Sequence, residues 1–254
     1  MEYARLRECL ASDVARLREV ARGVAGTTPV PSCPGWTVTD LLSHVSAVYL
    51  HKVECMVWGT APESWPPAGL ADEARQRPFD LLDRAYRALV QEFDTRLPNA
   101  PAGGWYEPDR TVGFWIRRMA HETVIHRIDA ELAAGVPLAP VPDDLAVDGL
   151  EEFLYVFVMY GTTAWWEDVR EVLAAADGPD VRLVTTGGAW RVHPTREGVR
   201  VSEDPSGPVA TEVSGAPADL LRWVWGRAGD EAVVISGDRA RLGPLRAIFT
   251  AVAQ

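Results

Sequence analysis

The sequence predicts a protein in two parts, an antiparallel bundle of long helices followed by a small α+β domain. Up to about residue 175, apolar side chains recur at steps of three and four, which is the period of amphipathic helices. From residue 181 onward, short alternating segments are separated by turns that contain glycine or proline, which is typical of strands. We therefore expect a helical domain over 1–175 and an α+β domain over 181–254.

The first two helices have recognisable ends. The segment "YARLRECLASDVARLREVARG" carries its apolar residues on one face and ends near Gly23. The segment "TVTDLLSHVSAVYLHKVECMVW" begins with Thr37 and Asp40 at the spacing of a capping box. Trp36 and Leu41 flank this cap and are placed to form a hydrophobic staple.

Three further helices are expected in the first part. The proline-rich stretch 59–78 predicts a long loop, and 79–97 predicts the third helix. A fourth helix is expected over about 111–135. A fifth follows "VPDDLAVDGL", where Asp148 and Glu151 resemble another helix cap.

The second part changes in character. The segments "VRLVTT", "AWRVHPT", "GVRVSE" and "VATEVSG" predict a strand meander. They are followed by "APADLLRWVWGRAG", which predicts a helix, by "EAVVISGD", which predicts a strand, and by "RARLGPLRAIFTAV", which predicts a closing helix. The order of elements favours an α+β domain.

Composition excludes several classes of function. A net charge of −11 argues against binding to nucleic acid or to anionic lipid. The most apolar stretch, 153–166, is too short to span a bilayer, and the N-terminal residues contain no secretory signal. Three cysteines without a C-x-x-C motif fit a reducing compartment. We expect a soluble cytoplasmic protein without nucleic-acid or membrane partners, and a monomer, because no heptad seam is present.

The segment "RRMAHETVIHRIDA" (117–130) contains a candidate metal site. It resembles the H-E-x-x-H helix of zinc proteases, but His121 and His126 are five residues apart and lie about 140° from each other around a helix. Position 125, where the protease pattern needs its second histidine, is Ile125. Glu122 and His126 are four residues apart and share a helix face. The spacing therefore excludes the protease motif and leaves a Glu/His pair that needs a third ligand.

The candidates for the third ligand are His44, His51, His193 and several carboxylates. His193 stands beside Pro194 on a predicted exposed strand, so we expect it to face solvent. His44 and His51 lie on the apolar face of the second helix. A histidine on such a face is often an ordinary core residue. Facing helices of a bundle can also supply metal ligands, and two histidines with one carboxylate form a common catalytic zinc set. The residues alone leave both interpretations open.

Asp129 follows His126 by three residues and lies on the same side of the predicted helix. It is placed to orient a metal ligand from behind. An equally acceptable interpretation is a surface salt bridge with Arg127 or Arg118.

Five segments of the sequence resemble a known family. The combination of "VPSCPGWTVTDLLSHVSAV" with "RRMAHETVIHRIDAELAAG" resembles the mycothiol-dependent maleylpyruvate isomerase family, whose N-terminal half is a DinB-like metal-binding bundle. "GGAWRVHPTREGVRV", "VSGAPADLLRWVWGR" and "ISGD" are similar to the C-terminal α+β domain of that family. The resemblance covers most of the chain.

The resemblance implies a set of site residues and cofactors. His44, Glu122 and His126 correspond to the ligands of Zn²⁺ or another divalent metal, and mycothiol is implied as the co-substrate. The family places an anion-binding arginine in its C-terminal domain. Arg227, in "WVWGR", matches that context best and Arg222 is its nearest rival. The alternative for either arginine is an ordinary surface residue at a helix end.

The function implied is that of a zinc-dependent mycothiol transferase or isomerase with a small electrophilic substrate, for which maleylpyruvate is one candidate. An open zinc site would convert the thiol to a nucleophilic thiolate. Cys33 precedes a Pro-Gly turn and Cys55 fits a small core residue, so neither is expected to be the nucleophile. One alternative is a metal-assisted hydrolase on the same bundle, with Asp129 as base. Another is a non-catalytic protein that binds a metal or an apolar ligand.

Overall fold

The computed structural model describes residues 1–66, 69–176, 178–203 and 206–253. The chain divides into two compact units, Met1–Ala139 and Pro140–Gln254. The helices of residues 143–176 therefore belong to the same compact unit as the sheet. The domain limits 1–175 and 181–254 stay a prediction.

The first unit is helical, as predicted. Its helices are α1 (Tyr3–Arg22), α2 (Val38–Trp58), α3 (Leu70–Gln76), α4 (Pro78–Thr95) and α5 (Val112–Ala134). Helix α1 packs mainly on α5, while α2 packs on α4 and on α5. The prediction of a loop over all of 59–78 is wrong, because α3 lies inside it. Leu70 and Ala74 are buried there against Leu81, and this burial stabilises a short helix within a proline-rich segment.

The predicted capping box at the start of α2 is present, and α5 spans the predicted residues. At the start of α2, the hydroxyl of Thr37 accepts a bond from the Asp40 amide at 3.3 Å, and the Thr37 amide donates to the Asp40 carboxylate at 2.9 Å. Helix α5 begins after Thr111 and ends at Gly135, whose φ of 64° is the left-handed conformation of a C-terminal cap. These caps therefore define the first turn of α2 and the last turn of α5.

A buried ion network joins α1 to α5. The Arg127 guanidinium donates to Asp13 at 3.0 Å and to Glu131 at 2.7 Å, and Glu131 also accepts from Arg16 at 2.9 Å. The side chains of Arg127 and Glu131 are fully buried. Since buried charges tolerate little displacement from their partners, this network holds one face of α5 against α1 and leaves the opposite face for α2.

The second unit combines helices with a mixed sheet. Its helical segments are α6 (Asp143–Glu152), a π-helical segment (Phe153–Tyr160), α7 (Gly161–Ala164), α8 (Trp166–Ala176), α9 (Pro217–Val224) and α10 (Leu242–Val252), with single 3₁₀ turns at Asp230–Ala232 and Arg239–Arg241. The strands are β1 (Val181–Thr185), β2 (Gly188–Thr195), β3 (Gly198–Glu203), β4 (Thr211–Ser214) and β5 (Val234–Gly237). The predicted small α+β domain is confirmed.

The strand order β3-β2-β1-β4-β5 corrects one expectation. The first three strands form the predicted meander, but β4 pairs in parallel with β1 and not with β3. The connection 204–210 between β3 and β4 is longer than the loop of a tight hairpin. Parallel pairing of β1 with β4 requires a crossover connection between these two strands, and the β2–β3 hairpin provides it. The parallel register places Val213 beside Leu183, and both side chains are fully buried.

The cap expected at Asp148 and Glu151 is also wrong. Helix α6 begins at Asp143, so Asp148 lies within the helix and is buried. Pro142 disfavours a helical conformation for the residue before it, and the carboxylates of Asp143 and Asp144 favour the positive end of the helix dipole. Among the described residues, no helix is long and apolar enough to cross a membrane.

Candidate metal centre

Three side chains from two helices meet at one point in the first unit. His44 is on α2, and Glu122 and His126 are four residues apart on α5. The Nε2 atoms of His44 and His126 each lie 3.1 Å from the same carboxylate oxygen, Oε1 of Glu122. All three potential donor atoms are within 4.8 Å of one another. The side chain of His44 is 37 % exposed while those of Glu122 and His126 are 14 % and 10 % exposed, so the cluster opens to solvent on the His44 side.

Trp36 lies against both imidazoles. Its ring centroid is 4.8 Å from that of His44 and 6.2 Å from that of His126, onto which it stacks. The sequence analysis assigned Trp36 only to a hydrophobic staple at the start of α2. In the structure it provides an apolar wall beside the cluster and restricts the rotation of both rings.

Asp129 supports the cluster from behind. Its Oδ2 lies 2.9 Å from Nδ1 of His126, and the carboxylate accepts bonds from the Ser32 hydroxyl at 2.5 Å and the Cys33 thiol at 3.4 Å. Asp129 is fully buried, which is not the position of a surface salt bridge. Its bond to Nδ1 leaves Nε2 of His126 facing Glu122.

Ser32 and Cys33 are partners that the sequence did not indicate. They lie in the loop before α2, which is closed by a bond from the Val30 amide to the Trp36 carbonyl and by a bridge between Pro29 and Thr37. The one sequence feature that could have indicated their role is the position of "SCPGW" directly before the cap of α2. This loop therefore supplies both the wall above the imidazoles and the bonds to Asp129.

The second oxygen of Glu122 has a cationic partner. Nη2 of Arg118, one turn earlier on α5, lies 2.8 Å from Oε2. Burial by itself would raise the pKa of Glu122. The charge and hydrogen bond of His126, the hydrogen bond of His44 and the charge of Arg118 outweigh burial and hold this pKa well below its usual value. Arg118 is therefore an ion-pair partner of Glu122. The sequence analysis considered Arg118 only as a salt-bridge partner of Asp129.

The pKa of His126 moves in the opposite direction. Burial would lower it, but the charge of Glu122 and the bond to Asp129 raise the pKa to about 9. Without a metal, the cluster is therefore held as an imidazolium beside a carboxylate. A divalent cation could take the place of the proton, because metal and proton compete for the same nitrogen.

The donor set fits a zinc ion. Two neutral imidazoles and one carboxylate that converge from facing helices form a three-ligand set, which leaves a coordination position for a water or a substrate. A second group of donors, Cys33, His126 and Asp129, also lies within 4.8 Å. It shares His126 with the first group.

Two other candidate ligands, His51 and His193, lie outside the cluster. His51 is 5.0 Å from the ring of Trp65, and burial followed by the charge of Lys52 lowers its pKa to about 4. His193 is partly exposed and lies 2.5 Å from Asp180. The thiol of Cys55 is buried 3.4 Å from His51, and burial raises its pKa. These surroundings match the expected roles of His193 as a solvent-facing residue and Cys55 as a core residue.

The arginines singled out in the second unit have local partners. The guanidinium of Arg227 donates to the carbonyl of Trp225 at 2.7 Å, just after α9. Arg222 forms a close ion pair with Asp219. An anion-binding role for Arg227 stays a prediction.

A helical unit with a histidine–carboxylate cluster, followed by a mixed-sheet unit, corresponds to a known class of enzymes. The model of the mycothiol maleylpyruvate isomerase N-terminal domain matches residues 7–131, and that of the MDMPI C-terminal domain matches residues 144–244. The chain belongs to the mycothiol-dependent maleylpyruvate isomerase family, a family of enzymes.

Solved structures support the same fold. A crystal structure of the mycothiol-dependent maleylpyruvate isomerase aligns with a TM-score of 0.63 and 14 % identity over 93 % of each chain. A histidine-to-alanine mutant of a protein of that name aligns with a TM-score of 0.61 and 13 % identity over 93 % of each chain. Among curated proteins, no sequence matches this chain.

The buried bond between Asp129 and His126 generates the first prediction. Replacing Asp129 with asparagine removes the negative charge that orients and polarises His126, so zinc affinity should fall roughly 10–100-fold. Competition with a chromogenic chelator measures this affinity. Ser32→Ala is the matched control, because it removes one bond to Asp129 but keeps the carboxylate against His126, and its effect should be smaller. Equal zinc affinity in wild type and Asp129→Asn would contradict the orienting role.

Proposed function

We propose that the protein is a zinc-dependent enzyme that uses mycothiol to transfer sulfur to, or isomerise, a small electrophilic substrate. The observation that carries the proposal is the convergence of two imidazole nitrogens on one carboxylate oxygen, in a chain of the mycothiol-dependent maleylpyruvate isomerase family. His44, Glu122 and His126 are the proposed ligands. Zn²⁺, or another divalent metal in its place, supplies a Lewis acid that lowers the pKa of a bound thiol.

The side chains around the proposed ligands have distinct roles. Asp129 holds the His126 ring so that Nε2 faces the metal position, and Arg118 neutralises the second oxygen of Glu122. Trp36 packs against both imidazoles and restricts their rotation. His44, the most exposed of the three, lies on the side from which thiol and substrate enter.

With a cis alkene acid as the substrate, the thiol is added in the first step and released unchanged in the last. The sulfur forms a bond to one alkene carbon while the electron pair of the double bond moves toward the activating carbonyl. The former double bond then rotates as a single bond. Breaking the carbon–sulfur bond restores the alkene in the trans geometry and returns the thiol. An electrophile with a leaving group would instead keep the sulfur and release that group with its electron pair.

The surroundings of Asp129 do not support the alternative of a metal-assisted hydrolase with Asp129 as its base. Asp129 is fully buried and is occupied by His126, Ser32 and Cys33, so it is not positioned to accept a proton from water. A cytoplasmic monomer without nucleic-acid or membrane partners remains the expectation for this protein.

Metal content tests the proposed ligands. Wild-type protein purified without chelator should contain about one zinc per chain, and His44→Ala and His126→Ala should lose it, because two remaining ligands hold zinc poorly. His51→Ala and His193→Ala are matched controls whose side chains lie outside the cluster, and they should retain the metal. Zinc in equal amounts in all five proteins, or no uptake by wild type when zinc is offered, would refute the three-ligand site.

We also propose that Arg227 binds a carboxylate of an anionic substrate. Arg227→Met should then raise the KM for an anionic electrophile about tenfold or more, the cost of one lost charge-assisted bond, and leave the KM for mycothiol unchanged. Steady-state kinetics with each substrate varied in turn measures both constants. Arg222→Met, at the pair with Asp219, is the control. An unchanged KM in Arg227→Met, or the same rise in Arg222→Met, would speak against this assignment.

A further inference from the structure

A cavity of about 410 Å³ lies in the first unit, between α2, α3 and α4. We propose that this cavity binds a small organic ammonium ion with an apolar body. Pockets for small molecules span roughly 300–1,000 Å³, so the cavity fits a compact ligand and not a macromolecule. The inference goes beyond the proposed function and does not depend on it.

The cavity is separate from the metal cluster. Glu54, which lines it, and His44 are ten residues apart on α2. They therefore lie about 15 Å apart along the helix axis and about 80° apart around it. Within the described part of the chain, the lining of the cavity includes none of the three proposed metal ligands. Binding at the two places can therefore be measured independently.

The charges that line the cavity favour a cation. Glu73 and Arg84 form an ion pair at 2.6 Å, so their opposite charges balance. Glu54 is partly buried, and among the described residues no hydrogen bond or ion pair reaches its carboxylate. The lining therefore keeps one net negative charge, and it lies on Glu54.

The lysine two positions before Glu54 does not neutralise it. Nζ of Lys52 lies 3.1 Å from Nδ1 of His51 and 4.7 Å from the ring centroid of Trp115. Burial lowers the pKa of Lys52 to about 8, and the charges that also act on it come from other residues than Glu54. Because a partly buried anion without a partner is unfavourable, an arriving ammonium ion would stabilise the Glu54 carboxylate.

Apolar side chains form the rest of the wall. They belong to Leu50, Val53, Trp65 and Leu70. Leu50 and Trp65 pack on the core cluster that contains Leu70, and the ring of Trp65 lies 5.0 Å from that of His51. The wall is therefore held in place before a ligand arrives. Tryptophan is also the aromatic side chain that attracts ammonium groups most strongly. An apolar wall beside one unpaired carboxylate is complementary to an amine with an apolar body.

A matched series of ligands tests the charge of the occupant. Phenethylammonium, phenethyl alcohol and phenylacetate share an aromatic body and differ in the charge of the end group. Calorimetry on zinc-loaded protein should show that the ammonium ion binds about tenfold or more tightly than the alcohol, and that phenylacetate binds most weakly, because bonds between charged groups are the stronger ones. Equal affinities for the ammonium ion and the alcohol, or no binding of the ammonium ion, would overturn the proposal.

A charge-neutral variant tests the role of Glu54. Glu54→Gln keeps the shape of the side chain and removes its charge, so the affinity for phenethylammonium should fall about tenfold or more while that for phenethyl alcohol stays the same. Glu171→Gln removes an exposed carboxylate of the second unit and is the control for net charge. An unchanged affinity for phenethylammonium in Glu54→Gln, or the same loss in Glu171→Gln, would contradict the assignment.

A second variant tests the apolar wall. Trp65→Ala should weaken the binding of phenethylammonium and of phenethyl alcohol alike, because both lose the same apolar contact. Trp58→Ala is the matched control, since it removes a tryptophan that is 57 % exposed at the end of the same helix, α2, and it should change neither affinity. Wild-type affinities in Trp65→Ala would place the ligand elsewhere.

Zinc separates this site from the metal cluster. Glu54→Gln should hold as much zinc as wild type, and wild type should bind phenethylammonium equally well with and without zinc. A loss of affinity on zinc loading would place the ammonium ion at the carboxylate of Glu122 and overturn the proposal. If wild type takes up no zinc but binds phenethylammonium through Glu54, the proposed function fails and this inference stands.

Discussion

The buried carboxylate of Glu122 is the constraint on which the rest of the first unit depends. An anion in this position is stable only when cations and donors surround it. His44 and His126 approach one of its oxygens and Arg118 approaches the other. Each partner comes from a different position along α2 or α5, so the two helices must hold a fixed rotation and offset. The capping box at Thr37 and the ion network around Arg127 on the far side of α5 provide that rigidity.

The support extends from the cluster into the loop before α2. Asp129 connects His126 to Ser32 and Cys33, and the same loop carries Trp36 against the imidazoles. A short segment therefore determines the orientation of one histidine, the wall beside both, and the start of the helix that bears the other. Because one segment both supports the cluster and begins α2, "SCPGW" and the cap of α2 occur side by side in the sequence.

Much of this arrangement could be predicted from local sequence patterns. The period of the apolar residues predicted the long helices, and the capping box at Thr37 predicted the start of the helix that carries His44. The four-residue spacing of Glu122 and His126 placed them on one face. The selection of His44 over His51 needed the family resemblance, because both histidines lie on the apolar face of α2 and periodicity does not tell which of them lies level with Glu122.

What the sequence did not predict depends on contacts between distant residues. Ser32 is 97 positions from Asp129, and no local pattern reports such a pairing. Strand β4 lies beside β1 because Val213 is buried at that edge of the sheet. Helix α3 forms in a segment rich in helix-breaking prolines because Leu70 is buried there.

Zinc-edge X-ray absorption on the zinc-loaded protein, before and after mycothiol is added, tests the metal-activated thiol most directly. We expect nitrogen and oxygen neighbours alone at first, followed by one sulfur at about 2.3 Å when the thiol occupies the open position. Sulfur in the first spectrum would place the metal at Cys33, His126 and Asp129 instead. An unchanged spectrum after saturation with mycothiol would contradict a metal-activated thiol.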